Sequence, residues 1–148
     1  DYGILDIANM GAAMAPAACD TLVKFFKDTK TDPTDYNVIY TGDLGSVGTQ
    51  LLYDLVGEEG YDLRCRHADC GSLIFDGDKQ DTHAGGSGCG CSASVLASLI
   101  MHRFESGDFD NVLFMSTGAL LSPTSSFQGE SIPGVAHLIN IKIDKNTK

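Results

Sequence analysis

Apolar and polar positions along this chain follow two periods, and the changes of period mark its elements. From about Ala12 or Pro16 to Lys27, the residues Met14, Ala18, Leu22 and Phe25/Phe26 share one stripe while Asp20, Lys24, Lys27 and Asp28 lie opposite. That is the 3.6-residue period of an amphipathic helix. Residues 1–10 before it read as extended chain or loop. Pro16 lacks an amide donor and suits a first helical turn, so the regular part is expected to begin there. Residues 31–35 have turn composition. Val38, Ile39 and Tyr40 make a short apolar run, the mark of a strand buried on both faces. Gly42-Asp43-Leu44-Gly45 is a tight strand-to-helix loop, with Ser46 as the expected N-cap of a helix that runs to Val56 and stops at Gly57. Residues 58–71 are charged and aperiodic and read as irregular, residues 72–75 as a strand, and Asp76-Gly77-Asp78 as a turn. Residues 112–116 form a second strand with no polar alternation, as a central parallel strand requires. Residues 117–133, rich in Gly, Ser, Thr and Pro, read as a long loop. Residues 135–143 close the chain as a strand in which Ile139, Ile141 and Ile143 alternate with Leu138, Asn140 and Lys142, leaving one face wetter.

The organising stretch lies between these elements. Gly85-Gly-Ser-Gly-Cys-Gly-Cys-Ser-Ala93 places four glycines in six residues, a density that serves sharp turning or close backbone approach and not packing. It runs into Val95, Leu96, Ala97, Leu99, Ile100, Met101 and Phe104, a helix expected from Cys91 to about Glu105 and stopped by Gly107-Asp108. A helix apolar nearly all round belongs in an interior. Helices alternating with short buried strands give an α/β fold with a largely parallel sheet. One sheet cannot cover the central helix on every side, so the pattern predicts a second layer.

Composition narrows the function. With 148 residues, 43% hydrophobic and 20% charged, the chain has the proportions of one globular domain. Its net charge of −10 argues against nucleic acid, which is read by a basic face, and against simple attraction to an anionic bilayer. No apolar run reaches the ~20 residues of a spanning helix, and no signal peptide opens the chain. Cys19, Cys65, Cys70, Cys89 and Cys91 form an odd set, read as reduced thiols in a cytosol-like compartment.

Three constellations carry candidate chemistry. The Gly86–Gly90 turn resembles an anion-binding loop, but it matches neither the P-loop nor the dinucleotide fingerprint, and close helix–sheet packing explains it equally. Cys89 and Cys91 stand where a helix start can depress a thiol pKa. The histidines His67, His83, His102 and His137 hold no diagnostic spacing to them, and buried cysteine is often only a small apolar residue. Cys65-x-His67-x-x-Cys70, with His83 and Cys89-x-Cys91 downstream, has zinc-ligand residue types without paired knuckles. No structural metal, and no cofactor, is expected. Asp76, Asp78 and Asp81 lack the calcium-loop pattern and read as a solvated turn.

Met10-Gly-Ala-Ala-Met-Ala-Pro-Ala-Ala-Cys-Asp-Thr21, Thr41-Gly-Asp-Leu-Gly45, Asp69-Cys-Gly71, the glycine stretch 85–93, Thr117-Gly-Ala-Leu-Leu-Ser-Pro123 and Ile132-Pro-Gly-Val-Ala-His137 together resemble, in order and over essentially the whole chain, the C-terminal half of the stage V sporulation protein AD family. The resemblance implies a thiolase-like fold of two similar α/β halves with buried helices between their sheets, residues 1–148 being the C-terminal half and the N-terminal half lying outside this chain. It implies a place in spore formation, binding dipicolinate (pyridine-2,6-dicarboxylate), free or as its calcium chelate, for uptake into the spore. It also implies work with membrane proteins of the same operon at the cytoplasmic side of the forespore membrane, and a homo-oligomer.

Condensing enzymes of this fold carry a histidine where this chain has Thr41-Gly42-Asp43, an asparagine or histidine where it has Cys89, and, in thiolases, a cysteine where it has Ser116-Thr117-Gly118. Those departures imply a scaffold reused for binding, with no catalytic residues. Donors for a dicarboxylate are then expected from Thr41, Gly88, Cys89, Gly90, Cys91, Ser92, Ser116 and Thr117, at the end of the sheet where α/β proteins open their crevices. The alternatives are an acyl-transfer half using Cys89 or Cys91, and a structural dimerisation half.

Overall fold

The computed structural model describes residues 1–86 and 88–144; Ser87, within the glycine stretch, lies outside them. Two sides of one sheet carry two cores. The sheet has the order β2-β1-β3-β4, with β1 (Val38–Thr41), β2 (His67–Asp69), β3 (Asn111–Ala119) and β4 (Gly134–Lys142). β1 runs parallel to β2 and to β3, pairing Thr41 with both Asp69 and Met115. β4 is antiparallel to β3. This is a mixed, mostly parallel α/β layer, consistent with a thiolase-like half.

On one side lie α1 (Met10–Thr29) and α2 (Gly45–Glu58). Their stripes of Met14, Leu22, Phe26, Leu52 and Val56 bury against Ile39, Leu113 and Met115. On the other side, residues 91–105 form the expected central helix, as α4 (Cys91–Val95), a π-helical turn (Leu96–Ile100) and α5 (Met101–Glu105). It packs Cys91, Val95 and Ile100 onto Tyr40, Val112 and Phe114. Ser94 and Ser98 donate their hydroxyls to carbonyls four residues back, 2.8 Å to Gly90 O and 2.7 Å to Ser94 O. Such back-bonding competes with the helical ladder where the π turn interrupts it.

The structure corrects several expectations. α1 begins at Met10, not at Pro16, because Asn9 caps it through Ala12 N (3.0 Å) and Ala13, Met14 and Ala15 are buried. Packing of that first turn outweighs the lost Pro16 amide. Ser46 is not the N-cap of α2; it is an exposed first-turn residue, and the helix start is held from elsewhere, as described below. Residues 58–71 are not irregular throughout. Leu63 is buried, and β2 and α3 (Cys70–Leu73) are too short to show a period. The strand expected at residues 72–75 is absent, since Leu73 ends α3 and Leu73, Ile74 and Phe75 are exposed. β3 continues to Ala119, and the expected loop holds α6 (Pro123–Phe127), capped by Ser122 with Pro123 in its first turn. In β4 it is Ala136 and Leu138 that pack on the α1 side, while Ile141 joins the core on the other side. Val135 and Ile139 stay half exposed, because the central helix does not extend over them.

The central helix is covered on one side only in this chain: Ala93, Ser94, Ala97, Ser98 and Met101 face outward. With Val135 and Ile139 these residues leave an apolar layer open. This chain by itself is therefore expected to self-associate and to bind an apolar dye. Light scattering at micromolar concentration checks it, and a monomer that leaves the dye dark contradicts it.

Candidate functional site

Three loops meet at the carboxyl ends of the parallel strands, and they meet backbone to backbone. A Cβ on Gly42 would lie 2.7 Å from Thr117 N, and one on Gly45, where φ is +66°, 2.6 Å from Ala84 O. Ser46 N donates to Ala84 O (2.7 Å) and Gly86 N to Gly71 O (2.8 Å). Gly42, Gly45, Gly71, Gly85 and Gly86 are thus the points where these segments press backbone against backbone or side chain.

Asp69 is the hub of this junction. Its side chain is buried at the end of β2, and each oxygen accepts two strong bonds. Oδ1 takes Thr41 Oγ1 (2.6 Å) and Leu44 N (2.9 Å). Oδ2 takes Gly45 N (3.0 Å) and Ser72 N (3.1 Å). The carboxylate therefore caps α2 across the sheet and α3 locally, satisfying amides that a helix start leaves without partners.

Thr41 has a single hydroxyl proton and gives it to Asp69. His67 Nε2, 2.9 Å from Thr41 Oγ1, must then be the donor of that pair, which leaves Nδ1 bare to accept from Tyr53 O–H at 3.0 Å. Burial holds the His67 pKa down to about 4, so the ring is neutral at ordinary pH.

Above this junction lies a cleft of about 370 Å³, lined by Met10, Met14, Asp43, Gly88, Cys89, Ser92, Ser116, Thr117, Gly118 and Ala119. A second hollow of about 350 Å³ shares Met10, Met14 and Asp43 with it. Asp43 ties the walls together: Thr117 Oγ1 donates to Asp43 Oδ1 (3.0 Å) and accepts from Asp43 N (3.1 Å), and Gly88 N reaches Asp43 Oδ2 (3.3 Å).

Of the residues expected to bind ligand, Gly88, Cys89, Ser92, Ser116 and Thr117 line the cleft. Thr41 does not. It is fully buried, with its hydroxyl spent between Asp69 and His67. Gly90 faces solvent outside the cleft lining. Cys91 is buried beneath it, its Sγ donating to Gly42 O (3.4 Å), and burial together with Asp43 and Asp69 pushes its thiol pKa up. The backbone cradle expected at the glycine turn is altered too, since the Gly88 amide already serves Asp43. Sequence reasoning missed Asp43, Met10 and Met14 as lining and Asp69 as the hub. All four stand inside the quoted family segments, where an acid between glycines at a strand exit was the available signal.

The other candidates do not assemble here. Both ring nitrogens of His67 are engaged, Cys65 is exposed and Cys70 is buried, its thiol pKa raised to about 12 chiefly by burial. Among the described residues no three His, Cys, Asp or Glu side chains gather as a metal-ligand set. A larger hollow of about 530 Å³ on the outer side of α1 and α2 is lined by Ile4, Pro16, Cys19, Val23 and Leu55, among others. Its rim charges pair off, Lys24 with Asp20 (2.8 Å) and Lys27 with Glu59 (2.7 Å). It holds none of the expected site residues. No helix among the described residues is long and apolar enough to cross a membrane.

The sheet, its central helix and the cleft at the strand ends make a mixed, mostly parallel α/β layer consistent with a thiolase-like half. More narrowly, the chain belongs to the stage V sporulation protein AD family, whose sequence model matches residues 1–142. The Stage V sporulation protein AD of Bacillus subtilis (strain 168) is 48% identical over 137 residues, 93% of this chain and 40% of that protein. This chain thus spans about two fifths of that relative's length.

The His67 pKa, ordinarily 6.5 and about 4 in the fold, sets a pH dependence. A depressed base contributes its full stability above 6.5, and loses it as pH falls from 6.5 to 4 while the unfolded chain takes up the proton. That gap is worth roughly 3 kcal/mol. Urea unfolding of wild type and His67→Gln from pH 7 to pH 4 is expected to show the smaller acid loss in the variant. Equal losses would contradict the assignment.

Proposed function

We propose that this chain is the C-terminal half of a non-catalytic sporulation protein that binds dipicolinate, as its calcium chelate in preference to the free dianion, and supports its entry into the spore. The observation that carries this reading is convergence. Three segments quoted for the family, 41–45, 85–93 and 117–123, close on one cleft at the carboxyl ends of the strands, the place where sheets of this class receive ligands. The cleft has the volume of a small-molecule site. Ser92, Ser116 and Cys89 offer polar contacts, and Met10 and Met14 offer an apolar wall to a flat ring.

Charge decides the form of the ligand. Among the described residues Asp43 is the one charged residue lining the cleft, and the whole chain carries −10. A free dianion meets repulsion at both ranges, and salt screens only the longer one beyond ~8 Å. A chelate presents calcium, and with it a face an aspartate favours. Catalysis is not supported by the groups at hand. Cys91 is buried with a raised pKa, His67 is committed to Thr41 and Tyr53, and no histidine lines the cleft among the described residues. The remaining wall comes from a second, similar half, the protein sits at the cytoplasmic side of the spore membrane with membrane partners, and it forms a homo-oligomer.

Calorimetry on a protein containing both halves tests the reading. Calcium dipicolinate is expected to bind about tenfold or more tightly than dipicolinate in chelator, a difference of about 1.4 kcal/mol. Cys89→Leu, which fills the cleft without adding charge, is expected to abolish binding with the fold intact. Unchanged affinity in Cys89→Leu would remove the ligand from this cleft.

A further inference from the structure

The cleft's shape depends on a residue that does not touch it. Its charged group, Asp43, rides on the loop between β1 and α2, and so do Gly42 and Leu44. Beyond Asp43's own bonds to Thr117 and Gly88, nothing in the sequence of that loop makes it rigid. It holds two glycines, its first helical amides belong to Leu44 and Gly45, and no side chain of α2 caps them. What they have instead is Asp69, which lies 25 and 24 positions further along the chain.

We propose that Asp69 is the positioning residue of the ligand cleft, fixing the Asp43 loop by accepting the Leu44 and Gly45 amides; the consequence for ligand affinity rests on the dipicolinate reading above. Three features support a dedicated role over ordinary packing. The side chain accepts at both oxygens and needs the carboxylate form to do so, since a carboxamide of the same size turns one pair of accepting sites into donors facing donors. Its partners come from three elements, β1, the α2 start and α3, so no single element can carry the loop if it is lost. The Tyr53–His67–Thr41 chain ends on it with every donor directed toward it, which leaves the carboxylate one orientation.

The direct measurement is amide hydrogen exchange on the full chain. In wild type the Leu44 and Gly45 amides are expected to exchange as slowly as Leu113 and Met115 of β3, although they lie in a glycine loop. Exchange at open-loop rates would overturn the proposal without any variant. In Asp69→Asn the Leu44 and Gly45 amides are expected to exchange at least about tenfold faster while Leu113 and Met115 stay slow, the scale of losing one charge-assisted hydrogen bond. Thr41→Val cuts off His67 and Tyr53 but leaves both amide bonds, and is expected to leave the loop slow. A fast loop in Thr41→Val would assign the positioning to the hydroxyl chain instead. Titration of the protein containing both halves with calcium dipicolinate then separates the two claims. Weakened binding in Asp69→Asn with normal binding in Thr41→Val supports both. Wild-type binding that Asp69→Asn leaves unchanged overturns the positioning role alone. Absence of binding in wild type overturns the dipicolinate reading and leaves Asp69 to be judged by exchange.

Discussion

A single buried carboxylate accepting four hydrogen bonds of 3.1 Å or shorter is the constraint on which this end of the molecule depends. Charge-assisted bonds of this kind contribute about 1.5–3 kcal/mol each, and a donor left buried without its partner costs comparably. Asp69 also solves a problem created by the glycines. Loops that approach within van der Waals contact of one another's backbone, as Gly42 does to Thr117 and Gly45 to Ala84, have few side chains with which to hold themselves, Asp43 being one. A donor set drawn from two helix starts and a threonine, all closing on one acceptor, gives them a fixed geometry.

That arrangement fits the proposal that this scaffold serves binding. By the family resemblance, the positions that condensing enzymes fill with histidine, with asparagine or histidine, and with cysteine correspond to Thr41-Gly42-Asp43, Cys89 and Ser116-Thr117-Gly118 here. Thr41 has turned inward to serve the hub, while Cys89 and Ser116 line a cleft whose charge comes from Asp43. The chemistry left at the surface of the cleft is hydroxyl, thiol, thioether and one carboxylate. Under the proposed reading, such a set receives a small polar ligand that brings a cation with it.

Legibility in the sequence followed element length and the range of the interactions. α1, α2, β1 and the 91–105 helix were readable because each repeats its period over enough residues or shows an unbroken apolar run. The three-residue β2 and four-residue α3 were not, since neither spans one full repeat, and their existence depends on pairing with β1 and on a cap from Asp69. Pro16 misled because local propensity favours a helix start where packing of Ala13 to Ala15 extends the helix instead. The cleft was partly legible: the glycine turn announced itself by composition and Ser116-Thr117 came through the family resemblance, whereas Asp43 and Asp69 are ordinary acids until their distant partners are known. Thr41 was assigned to the ligand because a hydroxyl at a strand end usually faces the crevice, and only the His67 and Asp69 contacts show that this one does not.

The outward side of residues 91–105 shows the same limit at the scale of the whole protein. Its apolar character is plain in the sequence, yet what lies over it is not described by this chain, which spans two fifths of its Bacillus subtilis relative. The account therefore stands or falls on where a ligand lands. Amide chemical-shift mapping of the isotope-labelled protein with calcium dipicolinate is the most direct measurement. The account predicts shifts concentrated at Asp43, Gly88 to Ser92 and Ser116 to Gly118. Shifts confined to the outer hollow, at Cys19, Val23 and Leu55, would contradict it.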